Sequence, residues 1–220
     1  MSTLEDLYDA ILDGHRGEVT ALVQEALDEG IAPMTIVEET LRPAMGEVGE
    51  LFSRGEFFLP QLVLSAAAMK NATDYLRPLL AGQAFGRQET VVLGTVQGDV
   101  HDIGKNLVSA TLEGAGYRVV DLGVDAPVQK FVDAVRDNDP AVVGFSALLS
   151  TTMVNIPKTI HALEEAGLRQ GRVLAVGGAP VTQRNADEWG VEVYAADAGT
   201  AVRVINEALA GRSADRGGKQ

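Results

Sequence analysis

Thr90-Val91-Val92-Leu93-Gly94-Thr95-Val96 runs straight into Gln97-Gly98-Asp99-Val100-His101-Asp102-Ile103-Gly104-Lys105-Asn106, and this junction sets the fold of the second half of the chain. The first seven residues are dominated by strand formers. Beyond the loop, Leu107, Ala110, Thr111 and Ala115 recur at helical spacing, so the stretch reads as strand, loop and helix. A loop leaving the carboxyl end of a parallel strand is where open α/β sheets bind ligands. This one carries His101, with Asp99 two residues before it and Asp102 directly after it. A carboxylate beside a histidine fixes the ring tautomer and raises its basicity, the arrangement found behind many metal-ligating histidines. Gly104 lets the backbone pass close to a bulky group. The plainer alternative has Asp99 capping the following helix and His101 exposed in its first turn.

Working outward from this junction, the chain alternates between two periods. Strands are expected at 90–96, 117–121, 141–146, 172–177 and 191–195, and helices at 104–115, 127–138, 153–167, 181–189 and 199–210. Five such units imply a flavodoxin-like (Rossmann-type) five-stranded parallel sheet with helices on both faces. The expected strand order, 2-1-3-4-5, opens a crevice between the first and third strands. His101 follows the first strand, Ser146 ends the third and Gly177 ends the fourth, which brings all three to one edge of the sheet. Taken alone, Gly177-Gly178 is also consistent with a tight strand-to-helix turn.

Toward the N-terminus the reading is helical. Leu4, Leu7, Tyr8, Ile11 and Leu12 form one apolar stripe; Val19, Leu22, Val23, Ala26 and Leu27 form a second, ended by Gly30. A third begins at Pro33 and carries Pro43 inside it, where a kink or break is expected. A fourth spans Leu59 to Leu80 with Pro60 in its first turn. Four amphipathic helices make a small bundle. Between the third and fourth, three of the six Phe residues, Phe52, Phe57 and Phe58, fall within seven positions. For Phe57 and Phe58 a place in the bundle core is the expectation. The domain scheme is therefore a helical cap at 1–82, a Gly-containing linker at 83–89, an α/β domain at 90–210 and a polar, disordered tail at 211–220.

Composition excludes several classes. The 220 residues carry a formal net charge of −13, which argues against nucleic acid, whose phosphates need clustered Lys and Arg. No basic block suits an anionic membrane surface, and no apolar run approaches the roughly 18 residues a membrane span needs. There is no cysteine, which rules out disulfides, thiolate zinc sites and iron–sulfur clusters built by this chain. The acidic, amphipathic start lacks the features of a signal peptide, so a cytoplasmic location is expected.

Asp99-x-His101-x-x-Gly104, then Ser146-Ala147-Leu148, then Gly177-Gly178 resembles the cobalamin-binding signature of methionine synthase and the corrinoid methyl-carrier proteins. Val48-Gly49-Glu50-Leu51-Phe52, Phe58-Leu59-Pro60-Gln61, Ser65-Ala66 and Met69-Lys70 look like the helical cap that precedes that domain. The resemblance spans about residues 33 to 205. It implies a cobalamin or related cobamide as cofactor, with His101 as the lower axial ligand of cobalt in place of the corrinoid's own nucleotide base. It implies that the displaced tail enters a slot given width by Gly177-Gly178 and walled by Ser146 and Leu148, with Ala179 also among the cofactor-binding residues. Gly98, Val100, Asp102, Ile103, Gly104 and Ser150 fall within the matching cofactor-binding segments. Lys105 and Asn106 are expected to touch the corrin's amide side chains, and Phe52 and Leu59 to lie over its upper face.

In this family the aspartate matching Asp99 and a hydroxyl residue six positions beyond the Ser of Ser-x-Leu form a relay behind the histidine. Here that position is Thr152, which also fits an ordinary helix cap. The relay couples proton uptake by the imidazole to loss of the methyl group, because methylcobalt(III) keeps a lower ligand and cobalt(I) sheds it. His15 and His161 read as a turn residue and a solvated helix residue, without zinc-site spacing. The implied function is a corrinoid methyl carrier, which accepts a methyl group on cobalt(I) from a donor-specific methyltransferase. It passes that group to tetrahydrofolate or a thiol coenzyme through an acceptor methyltransferase. With no segment left for a substrate domain, donor and acceptor are expected to be handled by other chains, and a reductive activase is a further implied partner. Two alternatives are a cobalamin-sensing regulator and the small subunit of a cobalamin-dependent mutase. The regulator would carry a DNA-binding motif ahead of the bundle, or a Trp in the cap, whereas the only Trp here is Trp189.

Overall fold

A computed structural model describes residues 2–80 and 89–217. The chain divides into two compact units. One gathers the helices up to Leu80 together with Ala110–Tyr117, and the other holds the rest of the α/β half. Apart from Glu89, the expected linker lies outside the described residues.

The helical unit opens on α1 (Thr3–Leu12), started by a reciprocal cap in which Ser2 Oγ accepts the Glu5 N–H and Glu5 Oε2 accepts the Ser2 N–H. α2 (Val19–Asp28) follows. The third helix is composite: α3 (Pro33–Ile36), a π-helical turn over Val37–Leu41, and α4 (Arg42–Ser53). Pro43 is the cause. It lacks an N–H for the Glu39 carbonyl and its ring crowds that carbonyl, so the preceding turn widens and Arg42 N–H reaches back five residues to Val37 O. The kink or break expected at Pro43 takes the form of a π-helical bulge within a continuing helix. α5 (Leu59–Leu76) starts with Pro60 in its first turn and runs into a 3₁₀ turn, Arg77–Leu80.

Leu7, Ile11, Val23, Ile36, Leu41, Leu62, Met69 and Leu76 are buried among these helices. Each such side chain stabilises by roughly 2 kcal/mol on burial. Helix propensity differences amount to tenths of that, so packing holds the bundle together. Phe58 is not part of this core. It is 66% exposed, and Phe57 is only half-buried. Phe58 is the extended N-cap residue of α5, ahead of the first residue whose direction the helix controls.

The α/β unit contains β1 (Thr90–Thr95), α6 (Ile103–Gly114), β2 (Arg118–Asp121), α7 (Val128–Asn138), β3 (Val142–Ser146), α8 (Asn155–Glu165), β4 (Val173–Gly177), α9 (Gln183–Glu188), β5 (Val193–Ala195) and α10 (Ala198–Gly217). The sheet is parallel throughout in the order β2-β1-β3-β4-β5, as the alternating pattern implies. Its interior is sealed on one side by α7, where Phe131 meets Phe145 of β3 with ring centroids 5.2 Å apart. Register places Thr95, Ser146, Gly177 and Ala195 in one row across β1, β3, β4 and β5. The loops that follow those strands therefore leave the sheet side by side. Residues 211–217 continue α10, in keeping with good helix formers before Gly211 and a tie from Arg212 Nη2 to Glu192 Oε1 at 3.4 Å.

Candidate functional site

The centre of the site is the Asp99 carboxylate, which is fully buried. Its Oδ1 accepts the His101 backbone N–H at 3.1 Å and lies 2.8 Å from His101 Nδ1. Its Oδ2 accepts the backbone N–H groups of Leu148 at 2.7 Å and Leu149 at 3.2 Å. Thr152 Oγ1 also lies 2.8 Å from Oδ2, and 2.8 Å from Leu149 O. The charged acceptor is the stronger of the two, so the hydroxyl proton points to Asp99. Burial alone would push this carboxyl's pKa up. The donors from Leu148, the His101 ring, the His101 backbone and Thr152 outweigh it and hold the pKa well below the usual carboxylate range.

An ionised carboxylate has no hydrogen to give, so Nδ1 of His101 carries the proton. In the neutral ring that leaves the lone pair on Nε2, which has no hydrogen-bond partner among the described residues. The side chain of His101 is 46% exposed. Thr95 Oγ1 donates to the His101 carbonyl at 2.9 Å and fixes the backbone behind the ring. Asp99 does not cap α6, which begins only at Ile103. Thr152 precedes α8 by three residues and is 6% exposed, so it serves Asp99 and not that helix.

Two glycines shape the surrounding loops. Gly98 has φ +84°, a conformation that costs an L side chain energy. Gly178 has φ +126°, and a Cβ there would stand 1.8 Å from the Ala147 carbonyl oxygen. The Ser146-Ala147-Leu148 and Gly177-Gly178 segments are therefore in backbone contact, which accounts for the second glycine more specifically than a tight turn does. Ser146 is half-buried at the end of β3, while Ser150 and Ala179 are exposed. Val100, Ile103, Leu148, Leu149 and Val154 are large apolar residues left 69%, 74%, 41%, 42% and 51% exposed on the loops and helix starts around His101.

Not every residue expected here is available. Lys105 is buried, with Nζ 2.6 Å from both Asp121 Oδ2 and Asn106 Oδ1, so it braces α6 against β2 and does not reach outward. Asn106 and Asp102 are exposed and linked to each other at 3.1 Å. Phe52, half-buried near the end of α4, and Leu59, 42% exposed at the start of α5, belong to the helical unit. Sequence reasoning missed the two backbone donors at Leu148 and Leu149, the Thr95 hydroxyl and Asp125, whose Oδ1 accepts Gly98 N–H at 2.7 Å. Position in a loop at the carboxyl edge was the only signal Asp125 offered. His15 and His161 are exposed, and His161 stands near Glu164 and Glu165. Among the described residues no three His, Asp or Glu side chains converge as a metal cage, and no helix is long and apolar enough to cross a membrane.

Known proteins match the chain along nearly its whole length. A family model described as a B12 binding domain matches residues 89–206, and a second of the same description matches residues 3–77. Dimethylamine corrinoid protein 1 of Methanosarcina acetivorans is 40% identical over 208 residues, covering 94% of this chain and 97% of the relative. Among solved structures, a cobalamin-binding protein from Desulfitobacterium hafniense DCB-2 is similar at TM-score 0.80 and 30% identity, with 93% of this chain and 97% of that chain covered. A chain of the methanol:cobalamin methyltransferase complex MtaBC from Methanosarcina barkeri is similar at TM-score 0.77 and 33% identity, with 95% and 80% covered.

Proposed function

We propose a function from one premise: the chain belongs to the B12-binding corrinoid proteins. It binds cobalamin or a related cobamide, and we read it as a methyl carrier that works between two methyltransferases. The observation that carries this reading is the Asp99–His101 pair, with Nδ1 engaged and Nε2 without a hydrogen-bond partner among the described residues.

The residues present suit such a cofactor. A metal met by a single imidazole must bring its other ligands with it, as a corrinoid does. The exposed apolar side chains around His101 suit a broad, largely apolar macrocycle. When bound, the group supplies a cobalt centre able to take up and release a methyl group; the protein supplies orientation and ligation. His101 would hold the metal through Nε2. Asp99 keeps the proton on Nδ1 and the ring in place, and Leu148, Leu149 and Thr152 keep Asp99 ionised. Gly98, Val100 and Asp102 belong to the loop that carries His101, and Ile103 and Gly104 open α6 directly after it. Ser146, Leu148, Ser150, Gly177, Gly178 and Ala179 line the neighbouring loops, where the nucleotide tail would lie.

The methyl donor is handled by a donor-specific methyltransferase, a reading supported by relatives named for dimethylamine and for a methanol:cobalamin methyltransferase complex. The acceptor is tetrahydrofolate or a thiol coenzyme, served by a second methyltransferase, and a reductive activase restores cofactor that has been oxidised. The test is single-turnover transfer from the methylated, cobalamin-loaded protein to either acceptor in the presence of methyltransferases encoded beside it. Transfer to one of the two identifies the acceptor. Tight cobalamin binding without transfer to or from any such enzyme would overturn the carrier reading.

A further inference from the structure

Gly98 and Asp125, 27 residues apart in sequence, both adopt positive φ, +84° and +48°. A non-glycine residue in that region is uncommon and accumulates where the surrounding structure holds it for a purpose. Here the purpose is visible. Asp125 Oδ1 accepts the Gly98 N–H at 2.7 Å, and the Asp125 N–H donates to the Asp99 carbonyl at 2.8 Å. One residue of the β2–α7 loop thus grips both ends of the Gly98-Asp99 dipeptide. The grip is continued on either side by the Thr95 N–H to Gly123 O at 3.0 Å and the Ala126 N–H to Thr95 O at 2.9 Å. Asp125 is itself exposed and touches neither the imidazole nor its carboxylate partner's oxygens.

We propose that Asp125 is a positioning residue for the His101 imidazole: by clamping Gly98-Asp99 it sets the direction from which the Asp99 carboxylate meets His101. The chain of contacts is short. Asp125 fixes the Asp99 backbone, Asp99 Oδ1 fixes both the His101 N–H and Nδ1, and the remaining ring nitrogen is aimed accordingly. Residues that orient a metal's ligand tune its affinity even when they are remote from the metal. This rests on the reading that His101 ligates cobalt.

Asp125→Gly tests it with little backbone disturbance, because glycine keeps the positive φ and the N–H to Asp99 while deleting the acceptor for Gly98. Asp125→Asn is the conservative partner, since its amide oxygen can accept the same N–H. The protein and both variants are loaded with cobalamin and reduced to the cobalt(II) state. The fraction showing imidazole-nitrogen coupling is then read by electron paramagnetic resonance, beside His101→Ala as reference. The ratio of coordinated to uncoordinated imidazole is expected to fall about tenfold in Asp125→Gly, the low end for an outer partner of a metal ligand, and to stay near that of the unsubstituted protein in Asp125→Asn. Unchanged coupling in Asp125→Gly overturns the positioning role alone, provided His101→Ala abolishes the signal. Equal loss in both variants overturns it too, because the hydrogen bond is then not what matters. Absence of His101-dependent coupling in the unsubstituted protein overturns the ligand reading and this inference with it.

Discussion

Asp99 holds His101 twice through one oxygen: Oδ1 accepts the backbone N–H at 3.1 Å and lies 2.8 Å from ring Nδ1. The two contacts fix where the residue begins and which way its ring turns. Only Nε2 is then left for a metal.

His101→Ala should therefore abolish imidazole-nitrogen coupling in the cobalt(II) spectrum of the cobalamin-loaded protein. Because the ring is 46% exposed and Asp99 keeps its four other donors, the backbone N–H of residue 101 included, apoprotein stability should fall by only about 1 kcal/mol. Coupling that survives the substitution would remove His101 from the ligand role.

Asp99→Asn replaces an acceptor of several N–H and O–H groups by one whose amide end cannot accept any. A loss of roughly 3 kcal/mol in apoprotein stability is expected, since buried donors are left facing a donor. Denaturant titration of the cofactor-free protein measures it. A change below 1 kcal/mol would mean that water reaches these donors when the acceptor is gone.

The same carboxylate gives a pH dependence. Its folded pKa lies below its unfolded one, so protonation favours the unfolded chain. This stabilisation is whole above the unfolded value of about 3.9 and drains away as pH falls further, toward the depressed folded value. Acid titration of apoprotein stability should be visibly shallower below about pH 4 in Asp99→Asn than in the unsubstituted protein. Parallel curves would deny Asp99 a share in the acid response.

Gly178→Ala places a methyl group on the Ala147 carbonyl at a positive φ. Strain and overpacking together predict a loss of roughly 3 kcal/mol or more. Thermal unfolding of the apoprotein reads it, and an unaltered melting temperature would show that the two loops separate at no cost.

Leu62 and Leu59 lie in the same helix and should behave differently. Leu62 is fully buried, and Leu62→Ala should cost about 2–5 kcal/mol. Leu59 is 42% exposed, and Leu59→Ala should cost about 1 kcal/mol or less. Similar losses would mean that Leu59 packs into the bundle in solution.

The strand order and the convergence of His101, Ser146 and Gly177 could be read from the sequence because alternation of βα units and right-handed crossovers leave few other arrangements. Thr152 was reachable only through family resemblance, since a hydroxyl near a helix start has several uses. The N–H groups of Leu148 and Leu149 left no trace, because a backbone donor carries no residue identity. Phe58 stands outside the core because an N-cap precedes the positions on which helix periodicity acts, so apolarity there does not imply burial. The role of Lys105 is not legible locally, because its partner Asp121 ends β2 and comes close only after β1 and β2 pair.

The hydrogen bonds that converge on Asp99 span 49 to 53 residues of chain to the turn after β3, and β2 and α7 intervene. Such non-local pairing is slow to form, because long loops must close before any contact rewards them. The imidazole is consequently oriented only once β1 and β3 have met. A chain whose sheet is unfinished therefore lacks the anchored Asp99 carboxylate that turns the His101 ring.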